Sequence, residues 1–147
     1  MAIEPIIVER SFEASPETIW QALTNPEEMK KWYFDIPGFE PKVGHQFQFT
    51  GENEGRTFLH LCEVQVAIPQ QKLAHTWRYE GQPGDTLVTF ELTPENKGTR
   101  VKLIHAGTET FPKDNPDLAR KNFEAGWNFI IGTGLQDYLE KENKLNK

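Results

Sequence analysis

The stretch FEAGWNFIIGTGLQDYLE, residues 123–140 near the C-terminus, decides the fold. Its large apolar side chains recur at helical spacing on one face: Phe123, Trp127, Ile130, Ile131, Leu135, Tyr138 and Leu139. Together with the capping signal Asn115-Pro116-Asp117, this spacing predicts one helix of about 27 residues that ends near Glu142. At ~1.5 Å per residue the helix is about 40 Å long and crosses a whole small domain. We expect it to be the central support of the fold.

Three glycines, Gly126, Gly132 and Gly134, lie inside this predicted helix. Each costs about 1 kcal/mol of helix stability relative to alanine, so either packing or function keeps these positions small. The simpler explanation is close approach of strands to the helix. The alternative is that the glycines leave room for a ligand.

Two short helices are predicted near the N-terminus by Ser15-Pro16-Glu17 and Asn25-Pro26-Glu27. In each signal a capping side chain precedes proline and an acid, which is the arrangement that favours the first turn of a helix. Apolar residues then recur at helical spacing in both segments. The chain is therefore expected to form two helices in succession.

The residues between the helices have an apolar period of two, which is typical of strands. Five strands are predicted, over residues 45–50, 57–66, 72–80, 86–93 and 99–106, and a sixth, over residues 3–12, precedes the first helix. The connections are too short for crossover helices, so neighbouring strands are expected to pair antiparallel. The predicted inner face consists of Phe47, Phe49, Phe58, His60, Cys62, Val64, Val66, Leu73, His75, Trp77, Tyr79, Val88, Phe90, Leu92, Val101, Leu103 and His105.

Only the C-terminal helix is large and apolar enough to cover that face. The sequence therefore predicts an α+β fold in which a curved, six-stranded antiparallel sheet wraps around the long C-terminal helix. The two short helices lie between strands 1 and 2. A chain of 147 residues supports one core but not two, so residues 1–147 are predicted to form a single domain.

Charge and composition exclude several partners. The net charge is −6 and the lysines are scattered, so nucleic acid is not an expected partner. Apolar runs are too short to cross a bilayer and no signal sequence is recognisable, so membrane insertion is not expected. Cys62 is the only cysteine, which excludes an internal disulfide and agrees with a reducing compartment. We therefore predict a cytoplasmic protein.

Aromatic residues make up 12% of the chain, which favours an aromatic-lined cavity between sheet and helix. The predicted ligand-binding residues are Trp32, Phe47, Phe49, Phe58, His60, His75, Trp77, Phe90, His105, Phe123, Trp127 and Ile131. Trp32 is included because it precedes residues 35–39, which are predicted to form a flexible rim over the cavity. The inward histidines either anchor polar groups of a ligand or are core histidines bonded to the protein itself.

No metal site, catalytic residue or cofactor is predicted. The inward histidines and Cys62 are spread over several strands, whereas zinc needs all its ligands about 2 Å from one point. General acid–base catalysis normally needs a second group beside the histidine, and no acidic residue falls clearly on the inner face. Phosphate-binding and nucleophile motifs are absent from the sequence.

The order of elements resembles the START-like, or SRPBCC, superfamily with its helix-grip fold. More narrowly, the chain resembles bacterial proteins related to the C-terminal domain of the activator of the 90-kDa heat-shock protein ATPase. The segments that carry this resemblance are residues 12–20 (FEASPETIW), 25–27 (NPE), 31–33 (KWY) and 73–77 (LAHTW), His105 with Gly107, and Gly126 with Trp127. The resemblance implies an internal cavity for a hydrophobic molecule.

The expected function is the binding or carriage of a small lipid-, polyketide- or aromatic-like molecule, without catalysis. Whether the protein is an enzyme is left open, and the missing inward acid favours a non-enzyme. One alternative is a stress-response module that assists a chaperone, which would then be its partner. A second alternative is a polyketide cyclase or aromatase, in which His60, His75 or His105 moves protons.

Overall fold

The computed structural model describes residues 4–53, 56–112, 118 and 120–145. In chain order the elements are β1 Ile6–Phe12, α1 Pro16–Thr24, α2 Pro26–Trp32, β2 Gln46–Asn53, β3 Arg56–Ile68, β4 Lys72–Tyr79, β5 Thr86–Glu95, β6 Gly98–Ala106, a 3₁₀ turn Thr108–Thr110, α3 Arg120–Phe129, a π-helical segment Ile130–Leu135 and α4 Gln136–Leu145. The predicted element types and their order are confirmed.

The two short helices begin at the predicted capping residues. The Ser15 hydroxyl accepts a hydrogen bond from the Thr18 N–H at 3.1 Å, and the Asn25 side-chain oxygen accepts one from the Glu27 N–H at 2.9 Å. These bonds satisfy N–H groups that have no partner within the helix. The third signal, at residues 115–117, lies outside the described residues.

The strands form one antiparallel sheet in the order β1-β6-β5-β4-β3-β2. Consecutive strands from β2 to β6 pair as a meander, and β1 closes the other edge by pairing with β6. The inner face packs against the C-terminal helical region, and the core includes Ile131 and Leu135 from that region. The helix-grip fold predicted from the sequence is thereby confirmed.

One strand departs from the predicted alternation. Val64 pairs with His75 as expected, but the next paired residues are Val66 and Ala74, because β3 contains a bulge between Val64 and Val66. An extra residue exchanges the two faces of a strand. Beyond the bulge, Ala67 packs against the core, whereas Val66 is half-buried and lies outside it. The prediction that Val66 belongs to the inner face is therefore wrong.

The C-terminal helix is not one continuous α-helix. Six residues between α3 and α4 are π-helical, and they include Gly132 and Gly134. Glycine is a poor α-helix former, and π-helical turns occur mostly as local insertions in α-helices. None of the helices in the described ranges is both long and apolar enough to cross a membrane.

The segment at residues 35–39 is anchored at two points. Ile36 is only 1% exposed and Phe39 only 4%, and both belong to the hydrophobic core. Two buried side chains hold a short segment in place because moving it would expose their apolar surface. The flexibility of this rim stays a prediction.

Candidate functional site

A cavity of about 390 Å³ lies between the sheet and the C-terminal helix. The described residues of its wall are Phe34, Gly51, Phe58, His60, Trp77, Tyr79, Leu118, Asn122, Phe123, Ala125, Gly126, Trp127 and Ile130. Most of these side chains are apolar or aromatic, and none of them is Asp, Glu, Lys or Arg. Such a volume and lining are typical of sites for small, uncharged molecules.

The glycines of the C-terminal helix differ in what an added Cβ atom would contact. A Cβ atom at Gly132 would lie 3.4 Å from the Arg10 side chain of β1, and one at Gly134 would lie 3.4 Å from the Trp32 carbonyl oxygen. At Gly126 a Cβ atom would meet nothing within 4 Å, and this residue lines the cavity. A Cβ atom at Gly132 or Gly134 would therefore make ordinary van der Waals contacts, whereas one at Gly126 would enter open space.

The predicted site residues are distributed over three locations. Phe58, His60, Trp77, Phe123 and Trp127 line the cavity. Phe47, His75 and Phe90 line a second, much smaller void of about 10 Å³. Trp32, Phe49, His105 and Ile131 line neither space. Ligand contact at each of these residues stays a prediction.

Trp32 has a structural contact instead of a position at the cavity. Its indole N–H donates to the Ala22 carbonyl oxygen at 2.9 Å, which ties the end of α2 to α1. Phe34, two residues further along the chain, lines the cavity in its place. No periodicity marks Phe34, because it follows α2 in an irregular segment.

Other lining residues were missed although a signal existed. A four-residue spacing relates Asn122, Gly126 and Ile130, which all line the cavity. This spacing places them on one face of α3 that continues into the π-helical segment. Tyr79 was already assigned to the inner face by alternation. Gly51 and Leu118 had no signal that distinguishes them from other residues.

His105 is completely buried on β6, and both of its ring nitrogens are bonded. Trp127 donates its indole N–H to His105 Nδ1 at 3.0 Å. Because an indole can only donate, Nδ1 is the acceptor and Nε2 carries the ring hydrogen. Nε2 donates to the Thr86 hydroxyl oxygen at 2.9 Å, and that hydroxyl donates to the Trp77 carbonyl at 2.6 Å. His105 is thus a core histidine that links the helix to three strands.

His60 and Tyr79 face each other as paired residues of β3 and β4, with ring centroids 4.6 Å apart. His60 Nδ1 donates to the Phe49 carbonyl at 3.2 Å. Burial lowers the pKa of His60 to about 4, although the backbone carbonyls of Phe49 and Phe58 oppose this shift. The imidazole is therefore neutral at pH 7.

Tyr79 accepts a hydrogen bond at 2.9 Å from the Trp77 indole N–H. Burial raises the pKa of Tyr79, with the Trp77 hydrogen bond opposing it, so the phenol stays protonated at neutral pH. Its oxygen is used as an acceptor, and its own hydrogen remains available to donate. The polar groups of this part of the cavity are neutral.

The smaller void lies between the two short helices and the sheet. His75 is buried there, and its Nδ1 donates to the Thr76 carbonyl at 2.9 Å. Burial lowers the pKa of His75 to about 4. Tyr33 lines the same void, and its buried hydroxyl has no hydrogen-bond partner among the described residues.

Replacing Tyr33 by phenylalanine is expected to raise the free energy of unfolding by about 1 kcal/mol, because an unpaired buried hydroxyl costs roughly 1–3 kcal/mol. The ring contacts with Trp32, Phe34 and Trp127 would be retained. Urea denaturation of the two proteins measures the difference. A clear loss of stability in Y33F would show that the hydroxyl has a partner, such as a buried water molecule.

The described part of the site contains no arrangement of groups expected for acid–base or metal chemistry. Among the described residues, no carboxylate hydrogen-bonds to His60, His75 or His105, and no three metal-ligating side chains come together. Cys62 is buried, and burial raises the pKa of its thiol, so the reactive thiolate is disfavoured. What the described geometry offers is an apolar volume with a few neutral polar groups.

Comparison with known proteins identifies the family. A family model described as Activator of Hsp90 ATPase homolog 1-like protein matches residues 13–140. The chain belongs to this family. The resemblance inferred from the sequence, to START-like bacterial proteins related to this activator, is confirmed. No curated protein sequence matches the chain significantly.

Solved structures agree with the family assignment. Protein MLL2253 from Mesorhizobium loti is 29% identical, with a TM-score of 0.75 over 93% of this chain and 97% of its own. A protein from Rhodobacter sphaeroides is 31% identical, with a TM-score of 0.60 over 70% and 72% of the two chains. DynU16, a protein of the dynemicin biosynthetic locus, shares the fold at 21% identity and a TM-score of 0.75. That match covers 94% of this chain but only 48% of DynU16.

Proposed function

We propose that this protein binds and carries a small, uncharged, largely apolar molecule in the cytoplasm and does not transform it. The observation that carries the proposal is the cavity of about 390 Å³, whose described wall has aromatic side chains and no charged residue. Burying a charge without a partner is very costly, so such a wall favours neutral ligands. Burying apolar surface supplies the binding free energy.

The aromatic walls favour a planar ligand. Trp77 and Trp127 line the cavity with ring centroids 5.3 Å apart and planes inclined at 62°. Phe58 and Phe123 add two further aromatic surfaces to the wall. Aromatic rings pack favourably edge to face or offset, so a flat ring system gains more from these walls than a branched aliphatic group does.

Replacing Gly126 by leucine is expected to weaken binding of the neutral fluorescent probe N-phenyl-1-naphthylamine at least ten-fold. The leucine side chain would occupy the space that Gly126 leaves empty in the cavity wall. Leucine also favours the helix by close to 1 kcal/mol relative to glycine, so the free energy of unfolding should not fall. Fluorescence titration and thermal denaturation measure the two quantities.

Lys121→Leu is the matched control, because Lys121 is exposed on the same helix and does not line the cavity. It adds the same side chain outside the proposed site and should leave probe affinity unchanged. Equal affinity in the wild type and in G126L would refute binding in this cavity. If G126L does lose binding, native mass spectrometry of the protein from its own host would identify the natural ligand.

The two alternatives drawn from the sequence remain predictions. A cyclase or aromatase would require turnover of a polyketide that is lost on substitution of His60, and the described residues offer that histidine no carboxylate partner. A chaperone-assisting module would require stimulation of a chaperone ATPase that G126L leaves intact. The ligand-binding proposal predicts neither result.

A further inference from the structure

The cavity presents a hydrogen-bond donor and an acceptor side by side, and their roles are set by their other partners. The Phe49 carbonyl can only accept, so His60 Nδ1 carries the ring hydrogen and Nε2 keeps a free lone pair. The Trp77 indole can only donate, so the Tyr79 oxygen accepts and its hydrogen is left over. His60 thus offers an acceptor and Tyr79 a donor.

The two residues are neighbours in the wall of the cavity. Their ring centroids are 4.6 Å apart, and both residues line the cavity. A Cβ atom at Gly51, another lining residue, would lie 2.9 Å from His60 Cε1 and 3.7 Å from Nε2. The Cε1–Nε2 edge of His60 is therefore next to Gly51, and the glycine leaves that edge uncovered.

A hydroxyl group matches this pair better than other neutral groups do. It donates one hydrogen bond and accepts others at the same oxygen, whereas a ketone or ether oxygen can only accept and would leave the His60 lone pair unused. A carboxylate would repel that lone pair and bring an unpaired charge into a wall whose described residues include no cation. The adjacent aromatic walls favour a hydroxyl that is attached to a flat ring.

We infer that the cavity selects uncharged molecules with an aromatic hydroxyl group, which donates to His60 Nε2 and accepts from the Tyr79 hydroxyl. This inference rests on the proposed binding function and specifies its ligand class. The burial of His60 keeps the imidazole neutral at pH 7, so its lone pair is available under ordinary conditions.

The test compares four probes with one ring system: 2-naphthol, naphthalene, 2-methoxynaphthalene and 2-naphthoate, titrated by calorimetry at pH 7.5. We expect 2-naphthol to bind about ten-fold more tightly than naphthalene or 2-methoxynaphthalene, since each hydrogen bond contributes a factor of roughly 2–12. The carboxylate should bind weakest. This ranking uses the wild-type protein and does not depend on any variant being folded.

Y79F should reduce the preference for 2-naphthol over naphthalene several-fold, because it removes the proposed hydroxyl donor and keeps the ring. Y33F is the matched control, because it removes a tyrosine hydroxyl outside the cavity and should preserve the preference. If naphthalene and 2-naphthol bind equally, the inference is wrong but the proposed function stands. If none of the four probes binds, both are overturned.

Discussion

Replacing His105 by leucine is expected to lower the free energy of unfolding by about 3 kcal/mol or more. The substitution leaves the Trp127 indole N–H without its acceptor and removes the donor to the Thr86 hydroxyl. Each buried group that loses its partner costs roughly 1–3 kcal/mol, and linked hydrogen bonds reinforce one another. Urea denaturation followed by tryptophan fluorescence and by circular dichroism measures the loss.

His45→Leu provides the control for this change. His45 lies in the segment that precedes β2, and its Nε2 atom is buried without a hydrogen-bond partner among the described residues. The same chemical substitution therefore breaks no side-chain hydrogen bond there, and it should change stability by about 1 kcal/mol or less. If H105L and H45L proved equally stable, the hydrogen-bond chain through His105 would not contribute to the fold.

Acidification is expected to unfold the domain between about pH 6.5 and pH 4. Burial lowers the pKa of His60 and His75 to about 4 and that of His105 to about 3, whereas an unfolded histidine titrates near 6.5. Between these values the unfolded chain binds protons that the folded chain does not, so stability falls as the pH falls. Above about pH 7.5 both states hold these histidines largely neutral, so stability should not depend on their titration there.

The expected slope can be measured directly. Each of these histidines contributes about 1.4 kcal/mol per pH unit, so together they contribute about 4 kcal/mol per unit near pH 5. The free energy of unfolding of a small domain is only about 5–15 kcal/mol. A slope of this size therefore removes it within a few pH units. Urea denaturation at intervals from pH 8 to pH 4.5 gives the profile.

His75→Leu tests the assignment of this slope to the buried histidines. It removes one titrating group, so the slope below pH 6.5 should decrease by about 1.4 kcal/mol per pH unit. A free energy of unfolding that stays constant from pH 7.5 to pH 5 would contradict the account for all three residues. It would mean that they accept protons in the folded state as easily as in the unfolded chain.

The sequence by itself determined the elements, their order and the antiparallel pairing. These features depend on local periodicity and on turn chemistry, both of which are readable along the chain. Ser15 and Asn25 cap their helices because a hydrogen bond to a residue two or three positions ahead needs no distant partner. The pairing of Val64 with His75 followed in the same way from the short turn between their strands.

Only the tertiary structure decided which inward residues border empty space. Phe49 and His60 both point inward and stack at 4.3 Å, yet only His60 lines the cavity. Alternation assigns a side chain to a face, but a cavity is the volume that remains after helix and sheet have packed. That volume depends on shifts of a few ångströms, such as the bulge in β3 and the π-helical turn, which no local period encodes.

The hydrogen-bond roles of the histidines likewise could not be predicted from the sequence. His60 and His105 occupy similar inward positions on β3 and β6, and their spacing along the chain does not distinguish them. The structure places Trp127 and Thr86 on the two nitrogens of His105, whereas His60 is bonded through Nδ1 to Phe49. The sequence determined a neutral aromatic face around these histidines. Contacts between residues far apart in the chain decided which one is structural and which one faces the cavity.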